Sequence, residues 1–170
     1  MKLRLIQLAT LLGLVAAGSA ALAQDIHERV IKFGHLNNPD HPTSTGVKKF
    51  AELVAAKSGG KIKVQEYPSS QLGNDTDTLS QIRSGAVDFF TLSPLILGNL
   101  VASAQISGVG FAFKDYNQVW AAMDGDLGAH VRKEIAAKSQ LFAFDKIWDN
   151  GYRQMTSSAR AITKPDDLKG

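Results

Sequence analysis

The chain has 170 residues, a formal net charge of +3 and no cysteine. Without cysteine there are no disulfide bonds and no lipid on a thiol, so an exported form depends on its packed core alone. Lys2 and Arg4 supply two of the positive charges, and residues 24–170 carry a net charge of only +1. That near-neutral balance gives no electrostatic footprint for nucleic acid and no polybasic patch for a membrane surface.

Residues 1–23 have the order of a secretory signal peptide. The basic start at Lys2 and Arg4 is followed by an uncharged run, and Ala21-Leu22-Ala23 places small residues at the −3 and −1 positions of a cleavage site. The uncharged run has about 13 residues, fewer than the roughly 20 that a bilayer-spanning helix needs. We therefore predict cleavage after Ala23 and release into the periplasm. A buried core helix or a retained membrane anchor is the alternative interpretation.

The rest of the chain alternates strand and helix patterns. The predicted strands cover residues 30–36, 62–67, 86–92 and 141–148, and the predicted helices cover about 43–58, 75–84, 117–123 and 127–139. Residues 94–110 are predicted to be partly helical, residues 154–157 to be extended, and residues 164–168 to form one helical turn with Pro165 at its first position.

The first helix has the clearest pattern. Thr43 or Ser44 is the predicted N-cap, and Val47, Phe50 and Val54 form one apolar stripe. Gly59 and Gly60 are predicted to end the helix, because glycine enters the left-handed conformation without strain. Asn74 or Asp75 is the predicted cap of the second helix, which Gly85 closes.

The order β-α-β-α-β, with long connections, predicts parallel strands and right-handed crossovers. The predicted fold class is therefore α/β, with a mainly parallel sheet and helices on both faces. Ligands of such sheets bind outside the carboxyl ends of the strands. The loops at those ends are residues 37–42, 68–74, 93–94 and 149–153.

Four segments carry a resemblance to a known family. They read FAELVAAKSGGKI at 50–62, YPSSQLG at 67–73, IRSGAVD at 82–88 and NGYRQMT at 150–156, the last followed by RAI and DDLKG. In this order and spacing they resemble the DctP-type solute receptors of tripartite ATP-independent periplasmic (TRAP) transporters, and the resemblance covers essentially all of residues 24–170.

The resemblance implies a periplasmic binding protein of about twice this length, with two α/β lobes that close on a ligand. Residues 24–148 would form the N-terminal lobe. Residues 149–170 would begin the hinge or crossover region, and the chain would end before the second lobe.

The resemblance also implies a function. A receptor of this family captures a small organic acid and delivers it to the membrane permease subunits of a TRAP transporter, which an ion gradient drives without an ATPase. Two other hypotheses stay open: the binding protein of an ATP-driven importer, and a periplasmic α/β enzyme. The sequence has no nucleophile elbow, phosphate-binding loop or metal-ligand spacing of its histidines, so no catalytic residue, cofactor or metal is predicted.

Arg153 is the first candidate ligand residue. A guanidinium stays charged and matches a carboxylate with two parallel hydrogen bonds. The resemblance aligns Arg153 with an arginine that reaches the ligand carboxylate in this family. The alternative is an exposed arginine in a surface ion pair, which contributes about 0–1 kcal/mol.

Five further residues are candidates because of their positions in the predicted loops. Trp148 offers an apolar wall or ordinary core packing, and Asn150 offers an amide contact or an Asn-Gly turn. Ser93 follows the third strand, where loops face the ligand. Asn37 and Asp75 lie in the first loop and at a helix N-terminus, where a cap or loop hydrogen bond is the alternative role.

Overall fold

The computed structural model describes residues 26–152 and 156–169. The predicted signal peptide and Arg153 therefore lie outside the described residues, as do residues 154 and 155 of the extended segment predicted at 154–157.

Three strands, five α-helices and two 3-10 helices follow one another along these residues. In chain order they are β1 (Arg29–Gly34), α1 (Pro42–Lys57), β2 (Ile62–Tyr67), α2 (Asp75–Ser84), β3 (Phe89–Phe90), α3 (Pro94–Leu97), a 3-10 helix (Ala102–Gly108), α4 (Tyr116–Asp124), α5 (Asp126–Ser139) and a second 3-10 helix (Pro165–Leu168).

The strands form a parallel sheet in the order β2-β1-β3. Phe33 of β1 is paired with Glu66 of β2 and with Phe89 of β3. The connection from β1 runs outward to β2, and the connection from β2 returns across β1 to β3. This reversal of direction creates a crevice at the carboxyl ends of the strands, where α/β proteins bind ligands.

Helices α1 and α2 cover opposite faces of the sheet. The Phe50 ring of α1 contacts the Phe33 ring edge-on, with centroids 5.8 Å apart. On the other face Gly34 lies so close to Leu72 and Thr78 that an added Cβ would stand 3.2 Å and 3.7 Å from them. Helices on both faces confirm the predicted α/β class.

The start of α1 differs from the prediction. His41, and not Thr43 or Ser44, is the N-cap: its Nδ1 accepts the backbone N–H of Thr43 at 3.1 Å. Pro42 then occupies the first helical position, which needs no donated N–H. The predicted cap Asn74 is confirmed, since its Oδ1 accepts the Asp77 N–H at 2.9 Å.

The apolar core has two parts. One lies between the sheet and α1, where Phe33, Phe50 and Phe89 contact one another and Val47 is fully buried. The other joins the first 3-10 helix to α5 through Val101, Ala104, Val131 and Ile135.

The strand predictions were only partly correct. Residues 86–92 pair with β1 only at Phe89–Phe90, and residues 141–148 form no strand. The alternation in the second segment is real, because Leu141 and Ala143 pack on the second core while Phe144 stacks on Phe89. Side-chain alternation alone does not make a strand, which also needs a neighbouring backbone to pair with.

Candidate functional site

Two loops meet at the carboxyl edge of the sheet. We call residues 35–41, after β1, the first loop and residues 68–74, after β2, the second loop. The backbone pairing of β1 with β2 continues between them: His35 N–H donates to Tyr67 O at 3.1 Å, Ser70 N–H to His35 O at 3.2 Å and Ser69 N–H to Asn37 O at 2.9 Å. The two loops are therefore held to each other as one unit.

The second loop carries local backbone strain. Ser69 and Ser70 have φ angles of +52° and +59°, in the left-handed region that costs residues with a Cβ roughly 1–2 kcal/mol. Their hydrogen bonds to the first loop hold them there. Strain of this kind is characteristic of sites where backbone geometry serves a ligand.

Asn37 lies in the first loop, as predicted. Its side-chain amide donates to Thr43 Oγ1 at 2.9 Å, which ties the loop to the first turn of α1. The residue is half-buried and borders a surface depression of about 440 Å³ that the first loop and Pro42 line. The side-chain amide oxygen of Asn37 can accept a hydrogen bond from a ligand donor.

Asp75 is the first residue of α2. Its Oδ1 is buried and has no hydrogen-bond partner, and burial raises the pKa of the carboxyl group above its usual value of 3.8. Asn74 already caps the helix, so the Asp75 carboxylate is not needed for that role. A buried acceptor without a donor is costly unless something else supplies the donor.

Ser93 follows β3 and precedes α3. Its backbone oxygen accepts the N–H groups of Ile96 and Leu97 at 3.1 and 3.2 Å, but its side chain makes no capping hydrogen bond. The hydroxyl is half-buried and can serve as donor or acceptor at the sheet edge.

Trp148 packs beside this edge without lying in a strand. Its indole stacks on Phe33 with centroids 6.1 Å apart, and its Cζ3 lies 3.1 Å from the place that a Cβ on Gly46 would occupy. Because 48% of Trp148 is still exposed, one face of the ring packs on the protein and the rest is open to contact.

Asn150 is exposed and lies in the turn after Trp148. Its neighbour Asp149 accepts the Gly151 N–H at 2.9 Å and the Tyr116 hydroxyl at 3.4 Å, and the Tyr152 ring lies 4.6 Å from that of Tyr116. The sheet topology thus places the segments that carry Asn37, Asp75 and Ser93 after the carboxyl ends of the three strands, while Trp148 packs on Phe33 and beside Gly46. No side-chain hydrogen bond joins Asn150 to those segments among the described residues.

Sequence reasoning missed one polar cluster at this edge, formed by Glu66, His35 and Ser44. Glu66 Oε1 accepts from His35 Nε2 at 2.9 Å and from the Ser44 hydroxyl. Burial alone would raise the pKa of Glu66, but the hydrogen bonds from Ser44 and His35 and the positive charge of Lys48 outweigh it and lower that pKa below its usual 4.5. No motif in the sequence marks these residues as neighbours.

Within residues 26–152 and 156–169, no three histidine, aspartate or glutamate side chains are grouped as metal ligands would be. No helix in those residues has the length and apolar character required to cross a membrane.

Comparison with known families identifies the class of protein. Residues 33–170 match the model of the bacterial extracellular solute-binding proteins, family 7, the DctP family. The chain belongs to this family, which is a family of solute receptors.

Two characterised relatives are C4-dicarboxylate-binding proteins. DctB of Bacillus subtilis is 35% identical over 83% of the chain, and the periplasmic protein DctP of Rhodobacter capsulatus is 34% identical over 92% of it. The match spans 40% and 45% of the length of these two relatives.

Solved structures of TRAP periplasmic solute-binding proteins share the fold. One from a Sulfitobacter species, with bound β-D-galacturonate, is 30% identical with a TM-score of 0.61 over 64% of this chain and 36% of its own. One from Sulfurospirillum deleyianum, with bound succinate, is 26% identical with a TM-score of 0.62 over 65% of this chain and 36% of its own.

Proposed function

We propose that the protein is an extracytoplasmic receptor that captures a small organic acid for import by a TRAP transporter. The observation that carries the proposal is the parallel strand order β2-β1-β3 in a chain of the DctP family, because ligands of parallel α/β sheets bind outside the carboxyl ends of the strands and the segments with Asn37, Asp75 and Ser93 follow those ends. The receptor acts by binding, without cofactor or turnover. Residues 1–23 direct it to the periplasm, the compartment of its relative from Rhodobacter capsulatus.

Arg153 is the proposed anchor of the ligand carboxylate. It follows Tyr152, which packs on Tyr116 of α4, and lies itself outside the described residues. The support for its role is chemical: an organic anion that loses its water on binding needs a charged partner, and a guanidinium supplies two parallel donors.

Asp75 is the proposed acceptor of a ligand hydroxyl. Its buried Oδ1 has no donor among residues 26–152 and 156–169, and a carboxylate at that place would repel a second carboxylate of the ligand. This chemistry favours a hydroxylated monocarboxylate, such as a sugar acid, over a C4-dicarboxylate. Asn37 and Ser93 would add amide and hydroxyl contacts, Trp148 would face the carbon skeleton, and Asn150 would contact the ligand when the receptor closes.

The proposed partners are the membrane permease subunits of a TRAP transporter. A ligand that binds the closed receptor better than the open one shifts the population toward the closed form. The permease would recognise that form and release the acid from it.

A thermal-shift screen tests the proposal on the natural full-length protein without its signal peptide. D-galacturonate, D-galactonate and succinate serve as probes. A ligand at about 100 times its Kd stabilises the protein by roughly 2.7 kcal/mol. We expect the two sugar acids to raise the melting temperature, and succinate at the same concentration to raise it less. Failure of every organic acid to stabilise the protein would overturn the proposed function.

The anchor is tested with Arg153→Ala, using Arg83→Ala as the control because Arg83 is exposed on α2. We expect R153A to weaken binding of the best acid by a factor of about 100 or more, in line with loss of a charged hydrogen-bonded pair. R83A should bind as the wild type does. Equal affinities of R153A and wild type would show that another group holds the carboxylate.

A further inference from the structure

One carboxylate oxygen joins three separate elements at the edge of the sheet. Glu66 is the second-last residue of β2, and its Oε1 accepts from His35, the first residue after β1, and from Ser44 in the first turn of α1. An ionised carboxylate oxygen has two lone pairs and can accept both bonds. Both donors therefore depend on the same acceptor oxygen.

The two donors of this cluster are buried. His35 is 1% exposed and Ser44 is fully buried. His35 Nδ1 is buried without a partner, which assigns the ring proton to Nε2, because a bare nitrogen lone pair is less costly there than an N–H without an acceptor. Loss of Glu66 would leave two donors without acceptors in the interior.

The cluster lies directly beneath the first loop. His35 begins that loop, and Asn37 follows two residues later, with its side chain on Thr43. Ser44, one residue beyond Thr43, is the second group that Glu66 holds. Glu66 thus holds the residue that begins the first loop and a residue in the first turn of the helix that follows the loop.

We propose that Glu66 is a positioning residue for ligand binding, holding the first loop against β2 and the start of α1 so that Asn37 faces the ligand. Glu66 is not itself a ligand contact in this account. Its role in binding rests on the proposed receptor function, whereas its role in holding the loops does not.

Amide hydrogen exchange in the ligand-free protein tests the holding role. In Glu66→Leu we expect the N–H groups of Ser69 and Ser70, which donate to the first loop, to exchange at least about tenfold faster, since two buried donors lose their acceptor. Amides of α5 should keep their rates. Glu66→Gln retains an acceptor oxygen and should stay within about threefold of wild type.

Two variants complete this experiment. Glu52→Gln removes an exposed glutamate that pairs with Lys49 at the surface, and should leave the exchange rates of Ser69 and Ser70 unchanged. Ser44→Ala removes one donor with little change of shape and should accelerate the same two amides, which keeps the test decisive if E66L does not fold. The proposal would be overturned if the Ser69 and Ser70 amides exchanged at the wild-type rate in both S44A and E66L. If E66L is unfolded, wild-type rates in S44A alone would overturn it.

The binding role is tested by titration calorimetry with D-galacturonate and succinate. We expect S44A to bind the better acid more weakly, E66L to bind it at least about tenfold more weakly, and E66Q to stay within about threefold of wild type. Equal losses in E66Q and E66L would mean that charge and not position matters, and would overturn the proposal. If the wild type binds neither acid, the proposed ligand class fails, and the exchange rates still decide the holding role.

Discussion

Asp75 carries an unusual local cost at the residue scale, a buried carboxylate oxygen without a donor. Burial raises its pKa in the folded state above 3.8, so the folded protein holds this proton more tightly than the unfolded chain does. Its contribution to stability is therefore present at low pH and is lost as the pH rises through the raised pKa. We predict that Asp75→Asn gains stability relative to wild type between pH 4 and pH 7, measured by urea unfolding at each pH.

Asp77 gives the matched control for that prediction. It lies in the same first turn of α2, is exposed, and interacts with the helix N-terminus. Asp77→Asn should lower the free energy of unfolding at pH 7 by about 0.3–1 kcal/mol. A stability difference between D75N and wild type that stays constant from pH 4 to pH 7 would contradict the assignment.

Ser70 has a strained backbone, because its φ of +59° lies in the left-handed region. Ser70→Gly should relieve the strain while leaving the backbone bond to His35 in place, and the gain is partly offset by the greater freedom of glycine in the unfolded chain. We predict that Ser70→Gly raises the free energy of unfolding by up to about 1 kcal/mol, which corresponds to about 3 °C in Tm. Ser80 is exposed to solvent in the middle of α2. Ser80→Gly should instead lower the free energy of unfolding by about 0.5 kcal/mol. Equal losses in both variants would show that the Ser70 conformation is unstrained.

At the element scale, the packing of α1 against Trp148 depends on Gly46, although glycine has a low helix propensity. Gly46 admits the Trp148 ring to the helix surface, where a Cβ would lie 3.1 Å from it. We predict that Gly46→Ala displaces the indole, so that the gain of about 1 kcal/mol from helix propensity is not realised in full. Fluorescence in a Trp120→Phe background should show Trp148 emission at longer wavelength.

Lys49→Ala provides the control on the same helix, because Lys49 is exposed and pairs only with Glu52. The Trp148 emission of the Lys49→Ala variant should equal that of the parent protein. An unchanged spectrum in G46A would mean that the ring tolerates the methyl group, and that the close approach to Gly46 does not position Trp148.

At the scale of the whole molecule, Glu66 links the acid stability of the fold to one carboxylate. Although burial opposes it, the net effect of Ser44, His35 and Lys48 is a pKa below 4.5. The stability that this shift supplies is present above pH 4.5 and is lost as the pH falls through the lowered pKa. We predict that Glu66→Gln flattens the fall in the free energy of unfolding below pH 4.5, whereas Glu52→Gln, changed in an exposed pair, leaves it steep. A wild-type pH profile in E66Q would contradict the link.

Local patterns in the sequence were sufficient for most elements. The stripe of Val47, Phe50 and Val54 predicted α1, and the alternation at 62–67 predicted β2, because both signals depend on residues near in sequence. The family segments predicted the class of protein, which the match over residues 33–170 confirms. Asn37, Asp75 and Ser93 could be placed at one edge from the parallel order alone, and their contact with a ligand stays a prediction, as do the roles of Arg153, Trp148 and Asn150.

The tertiary structure decided what depends on residues distant in sequence. Residues 141–148 alternate as a strand does, yet they pack by their side chains on Phe33, Phe89 and the second core instead of joining the sheet. His35, Ser44 and Glu66 lie up to 31 residues apart and become one cluster only when β1 pairs with β2 and α1 folds back onto them. A hydrogen bond acts over about 3 Å of space whatever the separation along the chain, so the sequence determined most of the elements and the class, and the packing determined the cluster.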